Sequence, residues 1–177
     1  KTLLNKEQTS DKCGEFWEIA DVANESSVVA NGSLQGITIK QLLDRYKADI
    51  LGVENFRKFG ANFPLLVKFI DANRDLSIQV HPNDEQAKPL NSFGKTEFWY
   101  VVDAEPNSRL FSGFKEEVTK IQFKNAVQAG TVPDYLLSEK VQANDSFFMP
   151  AGRIHNIGKG LVIAEIQQSS DITYRIH

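Results

Sequence analysis

The feature that most limits the fold of this chain is a series of short segments that are each predicted to be a β-strand. They are rich in β-branched and aromatic residues, and glycine, proline and asparagine turns separate them. A long series of such segments is typical of a sheet-based core. The predicted strands are residues 15–20, 65–70, 76–81, 97–103, 108–112, 139–142, 146–149, 161–168 and 172–176.

Two further segments have the apolar spacing of a helix. Residues 38–48 follow Thr38, which is a candidate N-cap, and residues 119–129 lie between Thr119, a second candidate N-cap, and Gly130, which can end a helix. The helices are not interleaved one per strand, and this argues against a parallel βαβ sheet. We therefore predict a mainly β fold, an antiparallel sandwich or barrel with a few peripheral helices.

Composition excludes several classes of partner. The chain has 177 residues, 41% of them hydrophobic and 24% charged, with a net charge of −3. Without a basic run, nucleic acid is not an expected partner, and no apolar stretch is long enough to span a bilayer. Cys13 is the only cysteine, so no internal disulfide can form, which fits a cytoplasmic location. The sequence leaves the oligomeric state open.

The stretch "LSIQVHPND" (76–84) has an unusual polar face. If it is extended, Ser77, Gln79 and His81 point to one side, while the apolar residues between them point to the other. Such a polar row either faces solvent, as in many half-buried strands, or lines a polar cavity. Pro82 ends the strand directly after the histidine.

Two more residues could join this face in a metal site. His155 lies in "SFFMPAGRIHNIG" (146–158), and Glu97 opens an apolar strand, where a buried acid needs a partner. Two imidazoles, one carboxylate and a neutral oxygen from Gln79 suit a catalytic divalent metal rather than a thiolate cage. Taken singly, each residue has a simpler interpretation. A histidine in a strand can be a hydrogen-bonded structural residue, and Glu97 can form an ion pair with Lys95 or Lys68.

Several motifs together carry a resemblance to a known family. "PAGRIH" after a "DSFFM" strand resembles the second cupin motif, and "LSIQVHPND" with "GKTEFWYV" resembles the first in an altered form. With "GEFWEIA", "PLLVKFIDA" and "AEIQQSSDITYRI", the chain from about residue 14 to its end is similar to type I mannose-6-phosphate isomerases (phosphomannose isomerases) of the short bacterial branch. Asn144 stands where that family usually has glycine in a turn, and asparagine tolerates the same backbone.

The resemblance implies a fold, an activity and a set of site residues. It implies a cupin-type jelly-roll barrel and a zinc enzyme, with one Zn²⁺ per chain, that interconverts mannose 6-phosphate and fructose 6-phosphate through a cis-enediol(ate). By position in the motifs, the zinc ligands would be Gln79, His81, Glu97 and His155, the catalytic residues Arg175 and Lys95, and the substrate-binding residues Ser77, Glu165 and Asp171.

The resemblance also raises expectations about extent and alternatives. We expect residues 1–177 to be a single metal-binding cupin domain with helical insertions at 38–48 and 119–129, and a fragment without the family's N-terminal segment and C-terminal β-domain. The proton-transfer base is open between Glu165, a zinc-bound water and a ligand histidine. Two other functions fit the same residues: a non-haem-iron cupin oxygenase, or a non-catalytic sugar-binding module.

Overall fold

Short antiparallel strands are the main regular secondary structure of the molecule. The computed structural model describes residues 14–22 and 25–176, so Cys13 and His177 lie outside it. The strands in this part of the chain are β1 (Glu15–Ile19), β2 (Asp21–Val22), β3 (Glu25–Ser26), β4 (Leu65–Asp71), β5 (Gln79–Val80), β6 (Glu97–Ala104), β7 (Arg109–Phe114), β8 (Leu136–Lys140), β9 (Ser146–Met149), β10 (His155–Ile157), β11 (Leu161–Gln168) and β12 (Tyr174–Arg175).

The strands form two five-stranded sheets and a small ribbon. The first sheet has the order β1-β4-β11-β6-β9, the second has the order β12-β5-β10-β7-β8, and β2 pairs with β3. Every neighbouring pair within these sheets is antiparallel. The mainly β, antiparallel architecture predicted from the sequence is therefore confirmed.

The main apolar core lies between the two sheets. It combines side chains of the first sheet, such as Trp99 and Ile163, with Leu110 and Ile157 of the second. Trp99, Leu161 and Ile163 are fully buried. Each such side chain contributes roughly 1.5–3 kcal/mol through removal from water.

The helices are peripheral. They are α1 (Ile39–Tyr46), α2 (Ala48–Leu51), α3 (Val53–Phe59), α4 (Asp84–Ala87) and α5 (Lys120–Ala129), with 3₁₀ turns at Lys88–Leu90 and Val132–Tyr135. Thr38 and Thr119 both cap their helices as predicted, each in a capping box with the glutamine three residues later. Helix α5 packs on the outer face of the second sheet through Ala126. None of the described helices is long and apolar enough to cross a membrane.

Some predicted elements differ from the structure. The predicted strand 76–81 is paired as a strand only at Gln79–Val80, and 139–142 moves to Leu136–Lys140. Strand β10 was not predicted, because a proline and glycine turn precedes it and it has only three residues. Helix α1 ends one residue before Lys47, whose positive φ of 47° breaks the helix, so the predicted segment 38–48 is divided between α1 and α2.

Candidate metal centre

Three buried side chains from different strands meet between the two sheets. His81 follows β5, Glu97 opens β6 and His155 opens β10. Their potential ligand atoms all lie within 4.8 Å of one another. Nε2 of His81 is 3.2 Å from Oε1 of Glu97, and Nε2 of His155 is 3.6 Å from Oε2. The carboxylate therefore comes from the first sheet and both imidazoles from the second.

Both imidazole rings are oriented by the same kind of hydrogen bond. Nδ1 of His81 lies 2.9 Å from the carbonyl oxygen of Ile172, and Nδ1 of His155 lies 2.8 Å from that of Arg153. A carbonyl can only accept, so Nδ1 of each ring carries the proton and donates it. Nε2 of each ring is thereby directed at the same point, where a neutral ring offers a lone pair. This is the usual way in which proteins orient histidine ligands for a metal ion.

Glu97 needs a cation at this point. Its Oε2 accepts a hydrogen bond from Nε1 of Trp99, but within the described part of the chain Oε1 has no hydrogen-bond donor when both rings are neutral. Burial alone would raise the pKa of Glu97. In the metal-free chain a proton on Nε2 of His81, 3.2 Å away, and the charge of Lys95, 3.4 Å away, lower it to about 2. Burial lowers the pKa of His155 to about 4, so this ring is neutral at neutral pH.

Gln79 completes the donor set. It lies opposite His155 in the β5–β10 register. Its amide Nε2 is 3.5 Å from Nε2 of His81 and 3.4 Å from Nε2 of His155, while Ser77 donates a hydrogen bond to its Oε1. A half-turn of the amide exchanges its oxygen and nitrogen at nearly the same positions. Gln79 can therefore present either a donor to two bare lone pairs or an oxygen ligand to a cation.

A cavity of about 550 Å³ opens beside this centre. Its size is that of an ordinary small-molecule site. The residues around it are strongly polar, with both acidic and basic side chains, and one wall is the carboxylate of Glu97. Predicted site residues in its lining are Ser77, Gln79, Lys95, Glu97, Glu165 and Arg175.

Comparison with known proteins identifies the family. Residues 3–117 match the family model described as phosphomannose isomerase type I, catalytic domain. The chain belongs to the type I phosphomannose isomerase family. Among curated relatives in this family, the Bacillus subtilis protein named "Probable mannose-6-phosphate isomerase GmuF" is 41% identical over 170 residues, which are 95% of this chain and 52% of that protein.

Solved structures agree with this family assignment. The mannose 6-phosphate isomerase from Bacillus subtilis superposes with a TM-score of 0.89 at 32% identity, covering 98% of this chain and 54% of that one. A zinc-bound mannose 6-phosphate isomerase superposes with a TM-score of 0.67 at 16% identity, covering 92% and 62%, and shares the fold. The cupin-type fold is thus confirmed, and the chain spans about half the length of the phosphomannose isomerases it matches.

The structure brings together most, but not all, of the residues predicted from the phosphomannose isomerase motifs. Three of the predicted ligands, His81, Glu97 and His155, converge, and the amide of Gln79 lies beside both histidines. The predicted residues Ser77, Lys95, Glu165 and Arg175 line the adjoining cavity. Asp171 does not lie in this cavity. It is exposed and borders a neighbouring pocket of about 390 Å³.

The cavity also contains an ion-pair cluster that the motif analysis missed. Nζ of Lys68 lies 2.9 Å from Glu15 and 3.1 Å from Glu165. Burial and the charge of Glu97 raise the pKa of Glu165 to about 7, although Lys68 opposes the shift. Burial would lower the pKa of Lys68, but both acids raise it. The signal was present in "PLLVKFID", where strand alternation places Lys68 on the inward side with Leu66 and Ile70.

Proposed function

We propose that this chain carries the zinc centre of a mannose-6-phosphate isomerase and interconverts mannose 6-phosphate and fructose 6-phosphate. The observation that carries the proposal is the pair of carbonyl-anchored histidines, His81 and His155, that converge on a buried carboxylate beside a polar cavity. Membership of the type I phosphomannose isomerase family supplies the reaction. Because the chain spans about half of its relatives, the activity of residues 1–177 is part of the proposal.

The donor set fits Zn²⁺. Two neutral imidazole nitrogens, the carboxylate of Glu97 and the amide oxygen of Gln79 are ligands that zinc accepts, with room for a further ligand from the cavity. The buried Oε1 of Glu97 has no hydrogen-bond donor among the described residues, and a cation would satisfy it. We therefore propose Gln79, His81, Glu97 and His155 as the ligands of one ion.

Each step of the proposed reaction can be assigned to a chemical group in or beside the cavity. Aldose–ketose isomerisation moves a proton between C1 and C2 of the open-chain sugar through a cis-enediol(ate). A bound zinc ion supplies Lewis acidity that polarises the sugar carbonyl. Lys95 places a fixed positive charge beside the carboxylate of Glu97, close to where the negative charge of the enediolate grows.

Glu165 is the group of this chain best suited to move the proton. It lines the cavity, and its pKa of about 7 lets it both accept and donate a proton near neutral pH. Lys68 contacts the same carboxylate and holds it in place. We propose Glu165 as the base ahead of a zinc-bound water or a ligand histidine.

The phosphate group needs a cation at the cavity mouth. Arg175 is exposed there, on β12, directly opposite Gln79 in the β5–β12 register. A guanidinium suits bidentate contact with a phosphate dianion. We propose that Arg175 binds the sugar phosphate, and that Ser77, which lines the same cavity, orients it.

One experiment tests the metal and the reaction together. Metal content and the conversion of mannose 6-phosphate to fructose 6-phosphate are measured on this chain, on a version extended to the length of the full relatives, and on Arg175→Ala. We expect about one zinc per chain in all three, with turnover in the wild-type forms and a loss of most turnover in Arg175→Ala. The arginine variant serves as the control that separates metal binding from catalysis.

The other outcomes are equally informative. Zinc in both wild-type forms with turnover only in the longer one would mean that residues outside this chain complete the site. Iron in place of zinc, or zinc without turnover in either form, would overturn the proposal and leave an oxygenase or a sugar-binding module. Near-normal turnover in Arg175→Ala would remove that residue from the mechanism.

A further inference from the structure

Gln167 is a buried polar residue that the proposed reaction does not use. It lies on β11 opposite Glu97 in the β11–β6 register, and it is 1% exposed. An amide in such a place costs free energy unless its groups are hydrogen-bonded. Its Oε1 has no hydrogen-bond partner in the described part of the chain, so only the amide nitrogen of this side chain makes hydrogen bonds there.

The amide nitrogen of Gln167 holds the last residue of β11 and the chain segment that follows it. Nε2 donates to the carbonyl oxygen of Gln168 at 3.0 Å and to that of Ser170 at 2.5 Å. Because both partners are acceptors only, the orientation of the amide is fixed. The residues from Gln168 to Thr173 are here called the 168–173 loop.

The same loop contacts two residues of the metal centre and its cavity, His81 and Lys95. The carbonyl of Ile172 accepts the Nδ1 proton of His81, and the amide N–H of Ile172 donates in turn to the hydroxyl of Ser170. Nζ of Lys95 lies 3.5 Å from the hydroxyl of Thr173. The loop then runs into β12. The carbonyl that orients His81 is therefore two residues from a carbonyl that Gln167 holds.

We infer that Gln167 is a positioning residue, which fixes the 168–173 loop so that the Ile172 carbonyl keeps Nε2 of His81 directed at the metal. The inference rests on the proposed function, because it assigns a role in zinc binding. Partners that orient ligand histidines commonly change metal affinity 10- to 100-fold when they are removed. Gln167 does not contact His81 in this way. It holds the loop whose Ile172 carbonyl is the partner of His81.

The test uses Gln167→Met, which keeps the side-chain volume and removes the amide. Zinc affinity is measured by competition with a chromophoric chelator, and hydrogen exchange of the Ser170 and Ile172 amides is measured on the metal-free chain. We expect zinc to bind roughly ten-fold more weakly and both amides to exchange faster. Val132→Ala, a buried change in the cluster under α5, is the matched control for lost stability and should leave zinc affinity unchanged.

The outcomes separate this inference from the proposed function. Wild-type zinc affinity in Gln167→Met would overturn the inference, as would an equal loss in Val132→Ala. If the wild-type chain binds no zinc, the proposed function fails, and unchanged hydrogen exchange in the variant would then still overturn the anchoring role. Should Gln167→Met not fold, Ser170→Ala, which removes the hydroxyl that holds Ile172, must weaken zinc binding for the inference to stand.

Discussion

The carboxylate of Glu97 determines what the centre between the sheets can hold. Both neighbouring histidines donate their Nδ1 protons to backbone carbonyls, so in the neutral form of each ring a lone pair faces Glu97. Lone pairs and a carboxylate repel each other unless a cation lies between them. In the metal-free chain that cation is a proton or the ammonium of Lys95, and in the proposed enzyme it is zinc.

Glu165 should make folding stability depend on pH. Its folded pKa of about 7 lies above the ordinary value of 4.5, so the folded chain holds a proton that the unfolded chain releases between these two pH values. Its contribution therefore falls as the pH rises through this range, by at most about 1.4 kcal/mol per pH unit. Glu165→Gln removes this contribution, so the variant should gain stability relative to wild type from pH 4.5 to 7.

Urea unfolding of both metal-free proteins at several pH values in this range measures the effect. His155 has the opposite dependence, because its lowered pKa makes stability rise with pH between about 4 and 6.5. Its contribution is common to both proteins and cancels in the difference. A difference between the two proteins that does not vary with pH would show that Glu165 is ionised throughout.

At the scale of elements, α5 depends on its cap. The hydroxyl of Thr119 accepts from the backbone of Gln122, and the Gln122 side chain accepts from the backbone of Thr119. We expect Thr119→Ala to lower the free energy of unfolding by about 1 kcal/mol and Thr119→Ser to change it by a few tenths. Urea unfolding measures both, and equal losses in the two variants would show that the methyl group, rather than the hydroxyl, matters.

Local patterns predicted the elements whose causes are local. The threonine caps and the β-branched and aromatic content of β6, β9 and β11 are visible within a few residues, as is the polar face of Gln79 and His81. Asn144 has a φ of 74°, as expected for a residue in a glycine position of the turn. The extent of β5 was not predictable, because its pairing is set by β10 and β12, which are distant in sequence.

The sequence predicted which residues belong to the site, but not the hydrogen bonds and ion pairs between them. Motifs identified the ligands, whereas the partner of Lys68 depends on β4 and β11 being neighbours in the sheet. The bond from His81 to Ile172 depends on the path of the 168–173 loop. Asp171 shows the same limit, since Glu165 and Arg175 of the same motif line one cavity while it borders another.

For the whole molecule, an ion in this centre would join the two sheets. Glu97 belongs to the first sheet, and Gln79 and His155 belong to the second. An ion that binds only the folded chain stabilises it by about 2.7 kcal/mol at a hundred times its dissociation constant. We therefore expect a chelator to lower the midpoint of thermal unfolding, and added zinc to restore it.

His81→Ala is the matched variant for this measurement. Without one of the two imidazoles, the chain should unfold at the same temperature with or without zinc. A shift of the same size in wild type and His81→Ala would place the stabilising ion elsewhere in the protein.

The long span of the bond from His81 to Ile172 has a consequence for kinetics. The two residues are 91 positions apart in the sequence. Closing such a loop lowers the entropy of the chain before any stabilising contact has formed, and contacts between distant residues slow folding. Because the centre also needs Glu97 from one sheet and His155 from the other, we expect it to assemble after the transition state, when the sheets have already met. Interactions formed that late slow unfolding and leave the folding rate nearly unchanged. Zinc supply would then set how long the folded chain lasts, and not how fast it forms.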